Sequence, residues 1–276
     1  MSATRAFIRR PSPRLADGEL THLARTPVDL ARAYAQHAAY VEALRGHGLA
    51  LVALPDLPEQ PDAVFVEDVL VWLDGRLVLT RPGAASRRGE LASVVTTLQH
   101  LQLGFDVIEA PATLDGGDVL VLDRHVLVGR STRSNDAARA QLAAFLHART
   151  PPSFAGAPAE ALEVAPMPNA HKPVLGIDVA GALHLKTALT RLPDGSVIAA
   201  SDSVDTTALA ALGYRVHLAA EPSGADVLCL GTSVLLPADA PQTARALREL
   251  GFAVETLDIS ELQKLEAGMT CMSVLW

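Results

Sequence analysis

Aromatic residues are scarce in this chain: two Trp, three Tyr and six Phe, 4% of 276 residues. The core must therefore be built from Leu, Val and Ala, and a hydrophobic content of 49% is too high for a disordered chain. Cysteine is scarcer still. Cys229 and Cys271 lie far apart and are too few for a disulfide framework, which points to a reducing compartment. Positive charge is in deficit, with a net charge of −8. That balance argues against nucleic acid or an anionic membrane as a partner and suits a cationic ligand. No apolar run is long enough to span a bilayer, and Met1-Ser2-Ala3-Thr4-Arg5 has no apolar signal core, so the expected location is the cytoplasm. A phosphate-binding loop is also missing. Gly116-Gly117 lacks the further glycines and the helix of a dinucleotide fingerprint.

What the chain does have is a repeated order of elements. Ala6 to Ile8 reads as a strand, Asp29 to Leu44 as a helix and Leu49 to Leu54 as a strand. A new unit then opens with strand-like Val64 to Val66 and Val69 to Leu73. A hairpin follows at Asp74-Gly75, then a return strand at Leu77 to Leu79, a helix from Glu90 to Leu101 and a strand from Phe105 to Ile108. Asp118 to Leu122, Val126 to Val128 and a helix from Asp136 to Leu146 begin the next unit. Leu183 to Leu192, Val197 to Ala199, Thr206 to Leu212 and Tyr214 to Leu218 make another. Val227 to Leu230, Ser233 to Leu236, Thr243 to Leu250 and Phe252 to Leu257 make a fourth. The N-terminal elements, joined to Cys271 to Leu275, complete a fifth unit from both ends of the chain. The expectation is one α/β domain over residues 1–276, a pseudo-five-fold ring of ββαβ units rather than a doubly wound sheet. The stretch Pro151 to Val179, rich in Pro and Ala, stands outside this order as a flap or contact surface.

Polar residues gather where first strands begin: Glu67-Asp68, Asp115-Gly116-Gly117-Asp118, His184 and Cys271. A cysteine at such a point is a nucleophile when its setting favours the thiolate, and a buried free thiol otherwise. Arg87 and Arg133 occupy the same loop of adjacent units, between second strand and helix. Two fixed guanidiniums there suit a carboxylate. Cys229, inside Val227-Leu228-Cys229-Leu230, is most simply core.

Asp62-Ala63-Val64-Phe65-Val66-Glu67-Asp68, Thr80-Arg81-Pro82-Gly83, Leu114-Asp115-Gly116-Gly117-Asp118, Arg133-Ser134-Asn135, His184-Leu185-Lys186 and Thr270-Cys271 together resemble the dimethylarginine dimethylaminohydrolases. These belong to the guanidine-modifying superfamily with the five-bladed α/β propeller, or pentein, fold. The resemblance runs from Phe7 to Leu275. It implies hydrolysis of methylated arginine to citrulline and a methylamine, with no cofactor and no metal, through an S-alkylthiouronium on Cys271. By the same resemblance His184 is the general acid and base, and Asp115 orients it; a turn-forming Asp before Gly-Gly is the plain alternative. Asp62, Glu67 and Asp68 surround the guanidinium. Arg87 and Arg133 hold the α-carboxylate, and Leu15 falls at a mobile lid position. Arginine deiminases carry a second carboxylate two residues after the histidine, where this chain has Lys186, which speaks against plain arginine deimination. The partner implied is a small cationic amino acid, with a homodimer left open. The rival readings are a hydrolase or amidinotransferase for another guanidine, such as hydroxyarginine or arginine, and an inactive binding module for cationic amino acids.

Overall fold

The computed structural model describes residues 3–148 and 172–276. The chain starts with β1 (Arg5–Ile8), α1 (Leu30–Gly46) and β2 (Ala50–Ala53). Next come β3 (Leu70–Leu73), β4 (Arg76–Leu79), α2 (Leu91–His100) and β5 (Phe105–Val107). The following unit has β6 (Val119–Val121), β7 (Val126–Arg130), α3 (Asp136–His147) and β8 (Val174–Asp178). Then follow α4 (Leu185–Ala188), β9 (Leu189–Arg191), β10 (Val197–Ala199), α5 (Thr206–Ala211) and β11 (Val216–Leu218). The last segment holds β12 (Leu228–Leu230), β13 (Ser233–Pro237), α6 (Pro241–Glu249), β14 (Ala253–Leu257), α7 (Ser260–Gln263) and β15 (Ser273–Leu275).

These strands form five separate three-stranded sheets among the described residues, so the fold is α/β. In each, a central strand pairs antiparallel on one side and parallel on the other, as β4 does with β3 and β5. The parallel partner always follows a crossover too long for a hairpin. The sheet at the termini keeps the pattern: β1 is parallel to β2 and antiparallel to β15. Neighbouring units touch through β15 and β3, β6 and α4, β9 and β12, and α1 and β14.

Local chemistry explains most boundaries. Asp29 caps α1 by accepting from Arg32 N at 3.0 Å, and Asn135 caps α3 by accepting from Ala138 N at 3.1 Å. Asp74 and Gly75 have φ of 49° and 98°, the left-handed pair that a tight β3–β4 hairpin requires. α6 starts at Pro241, two residues before the expected Thr243, because proline suits a first helical turn.

Three expectations are corrected. Val64 to Val66 is not a strand; the chain turns there and enters a 3-10 turn at Val66–Asp68, which carries Glu67 and Asp68 inward. Leu183 to Leu192 is not one strand either. Asp118 Oδ1 accepts from Leu185 N at 2.9 Å, closing the helical turn α4, and only Leu189–Arg191 pairs into the sheet. Of the stretch Pro151 to Val179, residues 151–171 lie outside the described residues, and Val174–Asp178 is β8, a regular edge strand of the third sheet.

The C-terminus is tied rather than frayed. Trp276 O accepts from Thr4 N and Arg5 N at 3.1 and 3.0 Å, and its ring stacks on Phe7 with centroids 5.3 Å apart. Tyr40 of α1, fully buried, donates to Met269 O at 3.1 Å, and its hydroxyl is hydrogen-bonded to Ser273 Oγ at 2.6 Å. The segment carrying Cys271 is thus held against a helix more than two hundred residues earlier in the chain.

Candidate active site

First strands begin beside one another here, and their leading residues form a buried polar cluster. His184 is the N-cap residue of α4 and is 3% exposed. Its Nε2 lies 3.0 Å from Asp115 Oδ2, and its Nδ1 lies 3.7 Å from Asp68 Oδ1. Asp115 is itself held by Gly83 N, which donates to Oδ1 at 2.8 Å, so the Thr80-Arg81-Pro82-Gly83 motif serves the histidine through it. Gly117 allows the close approach: a Cβ there would lie 2.6 Å from His184 Nδ1 and 2.9 Å from Asp68 Oδ1. Burial alone would lower the His184 pKa. The carboxylates of Asp68, Asp115 and Asp118 outweigh it and raise the pKa to about 9. Burial likewise works against ionisation of Asp68, but His184 and Arg87 hold its pKa below the ordinary carboxylate value.

Cys271 sits two residues ahead of β15 and is buried. Its Sγ accepts from Gly268 N at 3.3 Å. Burial, then the charges of Asp226, Glu67 and Asp68, push the thiol well above its usual value. Glu67 takes Lys186 Nζ at 2.5 Å on Oε1 and Thr270 Oγ1 at 2.8 Å on Oε2. Burial raises the Glu67 pKa, and Lys186 partly offsets this. The lysine that stands where deiminases have a carboxylate therefore neutralises one member of the acidic cluster.

The remaining expected residues divide. Asp62 accepts from Glu19 N on both oxygens at 3.2 Å, and burial raises its pKa to about 6. It holds the loop after residue 17. Arg133 Nη1 meets Glu19 Oε2 at 3.1 Å, and Arg133 Nη2 donates to Thr21 Oγ1 at 3.1 Å. Arg87 is 5% exposed and turned inward, donating to Asp68 Oδ2, to both Glu90 oxygens and to the carbonyls of Asp62 and Phe65. Arg87 thus braces Asp68, and Arg133 faces the loop. Leu15 is completely buried in the core with Tyr40, Leu262 and Met269.

Four carboxylates carry roles that the sequence did not assign. Asp118 accepts from Ser131 Oγ, Ser134 Oγ and Leu185 N, fixing the start of α4. Glu19 takes Arg133. Glu266 accepts from Thr21, His22 and Leu23 N, fastening the loop over the nucleophile segment. Asp226 accepts from Thr270 N at 3.0 Å through Oδ1, beside Cys271. Asp226 had a signal, because it precedes β12 as Glu67-Asp68 precedes β3. Glu266 had none, since a glutamate at φ 62° is not expected. Asp68, Asp115 and His184 present ligand atoms within 4.8 Å of one another, a spacing open to a metal ion. Their polar atoms are already engaged with each other, Arg87 and Gly83.

A buried thiol and a carboxylate-braced histidine stand among acidic residues on an α/β scaffold of repeated sheets, and the chain's relatives place it in the pentein superfamily. The family described as N,N dimethylarginine dimethylhydrolase, eukaryotic, matches residues 24–148. The N(G),N(G)-dimethylarginine dimethylaminohydrolase of Streptomyces coelicolor is 41% identical over 99% of this chain and 97% of its own. That of Pseudomonas aeruginosa is 31% identical over 96% of each. The P. aeruginosa enzyme, solved as a cysteine-to-serine variant with citrulline, superposes with a TM-score of 0.84 over the whole of both chains at 28% identity. The chain belongs to the dimethylarginine dimethylaminohydrolase family.

Proposed function

We propose that this chain hydrolyses Nω-dimethylated and monomethylated arginine to citrulline and dimethylamine or methylamine. The observation that carries the reading is the buried Cys271 thiol surrounded by Asp226, Glu67 and Asp68. Those charges keep the thiol protonated while the site lacks a cation. A guanidinium bound against Asp68 offsets them, so the thiol releases its proton to solvent as substrate arrives. The thiolate attacks the central carbon. His184, protonated at neutral pH by its carboxylate neighbours, gives a proton to the departing amine, whose C–N bond breaks with the electron pair on nitrogen. An S-alkylthiouronium remains on Cys271. Neutral His184 then takes a proton from water as it attacks, the C–S bond breaks and citrulline leaves. Asp115 keeps the imidazole oriented throughout, as the third member of other triads does.

In this reading Arg133 receives the substrate α-carboxylate, displacing Glu19, and Asp62 and Glu266 hold the loop above it. Arg87 acts through Asp68. The five sheets form a closed five-bladed ring in a single domain, a proposal supported by the contacts between successive units. The location is the cytoplasm, in keeping with two unpaired cysteines. No helix among the described residues is long and apolar enough to cross a membrane.

The test is citrulline formation from dimethylarginine, monomethylarginine, arginine and hydroxyarginine. Dimethylarginine and monomethylarginine are expected to lead in kcat/KM. A preference for arginine or hydroxyarginine would move the reading to another guanidine hydrolase. No turnover of any of them would leave a binding module.

A further inference from the structure

A cavity of about 210 Å³ borders the nucleophile segment on the side of α4. Its walls are mainly aliphatic, with Leu23, Ala182, Leu183 and Ala267 among them. Gly268, whose N–H meets Cys271 Sγ at 3.3 Å, forms one wall, and Leu183, next to His184 in the chain, forms another. The cavity therefore flanks both the thiol and the proton donor. Asp226 and Thr187 also line it. Asp226 is 2% exposed, and only its Oδ1 has a partner; Asp226 Oδ2 and Thr187 Oγ1 are both buried without a hydrogen bond. Glu266, the other carboxylate in the lining, is already occupied by three backbone N–H groups of the loop.

Two residues that line one apolar cavity each keep an unpaired buried polar atom, and what such atoms lack is a small group with apolar flanks and two N–H donors. We propose that this cavity receives the amine released from the substrate, with Asp226 Oδ2 and Thr187 Oγ1 taking the two N–H groups of dimethylammonium and the aliphatic walls taking its methyls. The inference rests on the proposed hydrolysis. The amine nitrogen must lie on the His184 side to be protonated, and Leu183, the residue before His184, lines the cavity. Among the described residues no Phe, Tyr or Trp lines the cavity, so the cation is met by a carboxylate rather than a cage of such rings. Either state of Asp226 serves. As an acid it gives its proton to the lone pair of dimethylamine, which leaves neutral, and forms the ion pair; as a carboxylate it accepts from the ammonium once the amine has taken a second proton from solvent. Burial and the charge of Glu67 raise its pKa to about 7, so both states are present near neutral pH.

Asp226→Asn tests this, because the amide keeps the acceptor for Thr270 N and loses the free carboxylate oxygen. Thr187→Val removes the hydroxyl at nearly constant shape and stands in if the first variant fails to fold. Dimethylammonium chloride should inhibit wild type, and tetramethylammonium, which has no N–H, should not. Asp226→Asn should weaken that inhibition about tenfold, the scale of a charge-assisted bond, and Thr187→Val several-fold. Asp226→Asn should also lose about tenfold more kcat/KM on dimethylarginine than on S-methyl-L-thiocitrulline, which expels methanethiol instead of an amine. Unchanged inhibition in both variants overturns the proposal, as does equal loss on the two substrates, which would place Asp226 in service of the Cys271 segment. A wild type inert towards dimethylarginine refutes the hydrolysis itself. Dimethylammonium binding to the unreacted protein, followed by NMR titration, still decides whether the cavity is an amine site.

Discussion

Replacing Asp115 with Asn tests the electrostatic core of the site. His184 is pushed from 6.5 to about 9 despite complete burial, and at 1.36 kcal/mol per pH unit this favours imidazolium by about 3 kcal/mol. A hydrogen bond to a charged group contributes about 1.5–3 kcal/mol. Loss of the Asp115 carboxylate should therefore bring His184 down to about 7–8, leaving Asp68 and Asp118 to hold the remainder. The amide can still accept from Gly83 N, so the fold should survive. Linkage gives the sign. A raised histidine pKa adds stability that is complete below 6.5 and is lost as pH rises through about 9. Asp115→Asn should thus cost about 1.5–3 kcal/mol in denaturant unfolding at pH 6 and clearly less above pH 9.5, where His184 is neutral in both proteins. NMR titration of His184 gives the pKa directly. An equal cost at both pH values, or a wild-type midpoint at or below 6.5, would refute the reasoning.

Cys271→Ser should abolish turnover while binding survives, and acid-quenched wild type should carry its adduct on the C-terminal peptide. An adduct on Cys229 would sink the assignment; that thiol donates to Arg191 O at 2.9 Å, and burial pushes its pKa up to about 12. Arg133→Lys should lose about 2–3 kcal/mol in kcat/KM on dimethylarginine, with no rescue by the retained charge. A carboxylate-free dimethylguanidine should lose little in the same variant, and an equal loss would make Arg133 structural. Glu266→Gln should raise KM more than it lowers kcat and speed proteolysis within residues 18–25, because three backbone N–H groups lose their ionised acceptor. Unchanged cleavage would remove Glu266 as the fastening of that loop.

The repeat was legible because each unit restates itself in local signals. Asp74-Gly75 demanded a hairpin, α2 and α3 carried helical periodicity, and the leftover ends fitted the missing strands of one sheet. Legibility failed where tertiary bonds overrode propensity. Val64-Phe65-Val66 is β-prone, yet Phe65 N turns back to Asp62 O and Arg87 captures two carbonyls of that turn. Leu185 is drawn into a helical turn by Asp118, sixty-seven residues earlier. β8 went unread because its connection from α3 crosses a long Pro/Ala stretch with no period.

At the site, residue types were easier to read than partners. His184 and Asp115 come together because both stand at strand starts, where the repeat places equivalent residues alike. Arg87 and Arg133 also occupy equivalent loop positions, but equivalence fixes only the backbone. Glu90 lies one turn after Arg87 and takes its guanidinium with two bonds, while the residue three after Arg133 is Asp136, which pairs with Arg130 and Arg139 instead. A two-carbon acid side chain beside a buried loop thus decides which arginine turns inward. Once inward, Arg87 cannot be exchanged for a neutral residue without taking from buried Asp68 and Glu90 the cation that hydrogen-bonds both. Asp68 in turn stabilises the imidazolium of His184. One of the two arginines that resemblance assigns to the substrate carboxylate is therefore coupled, through Asp68, to the protonation of His184.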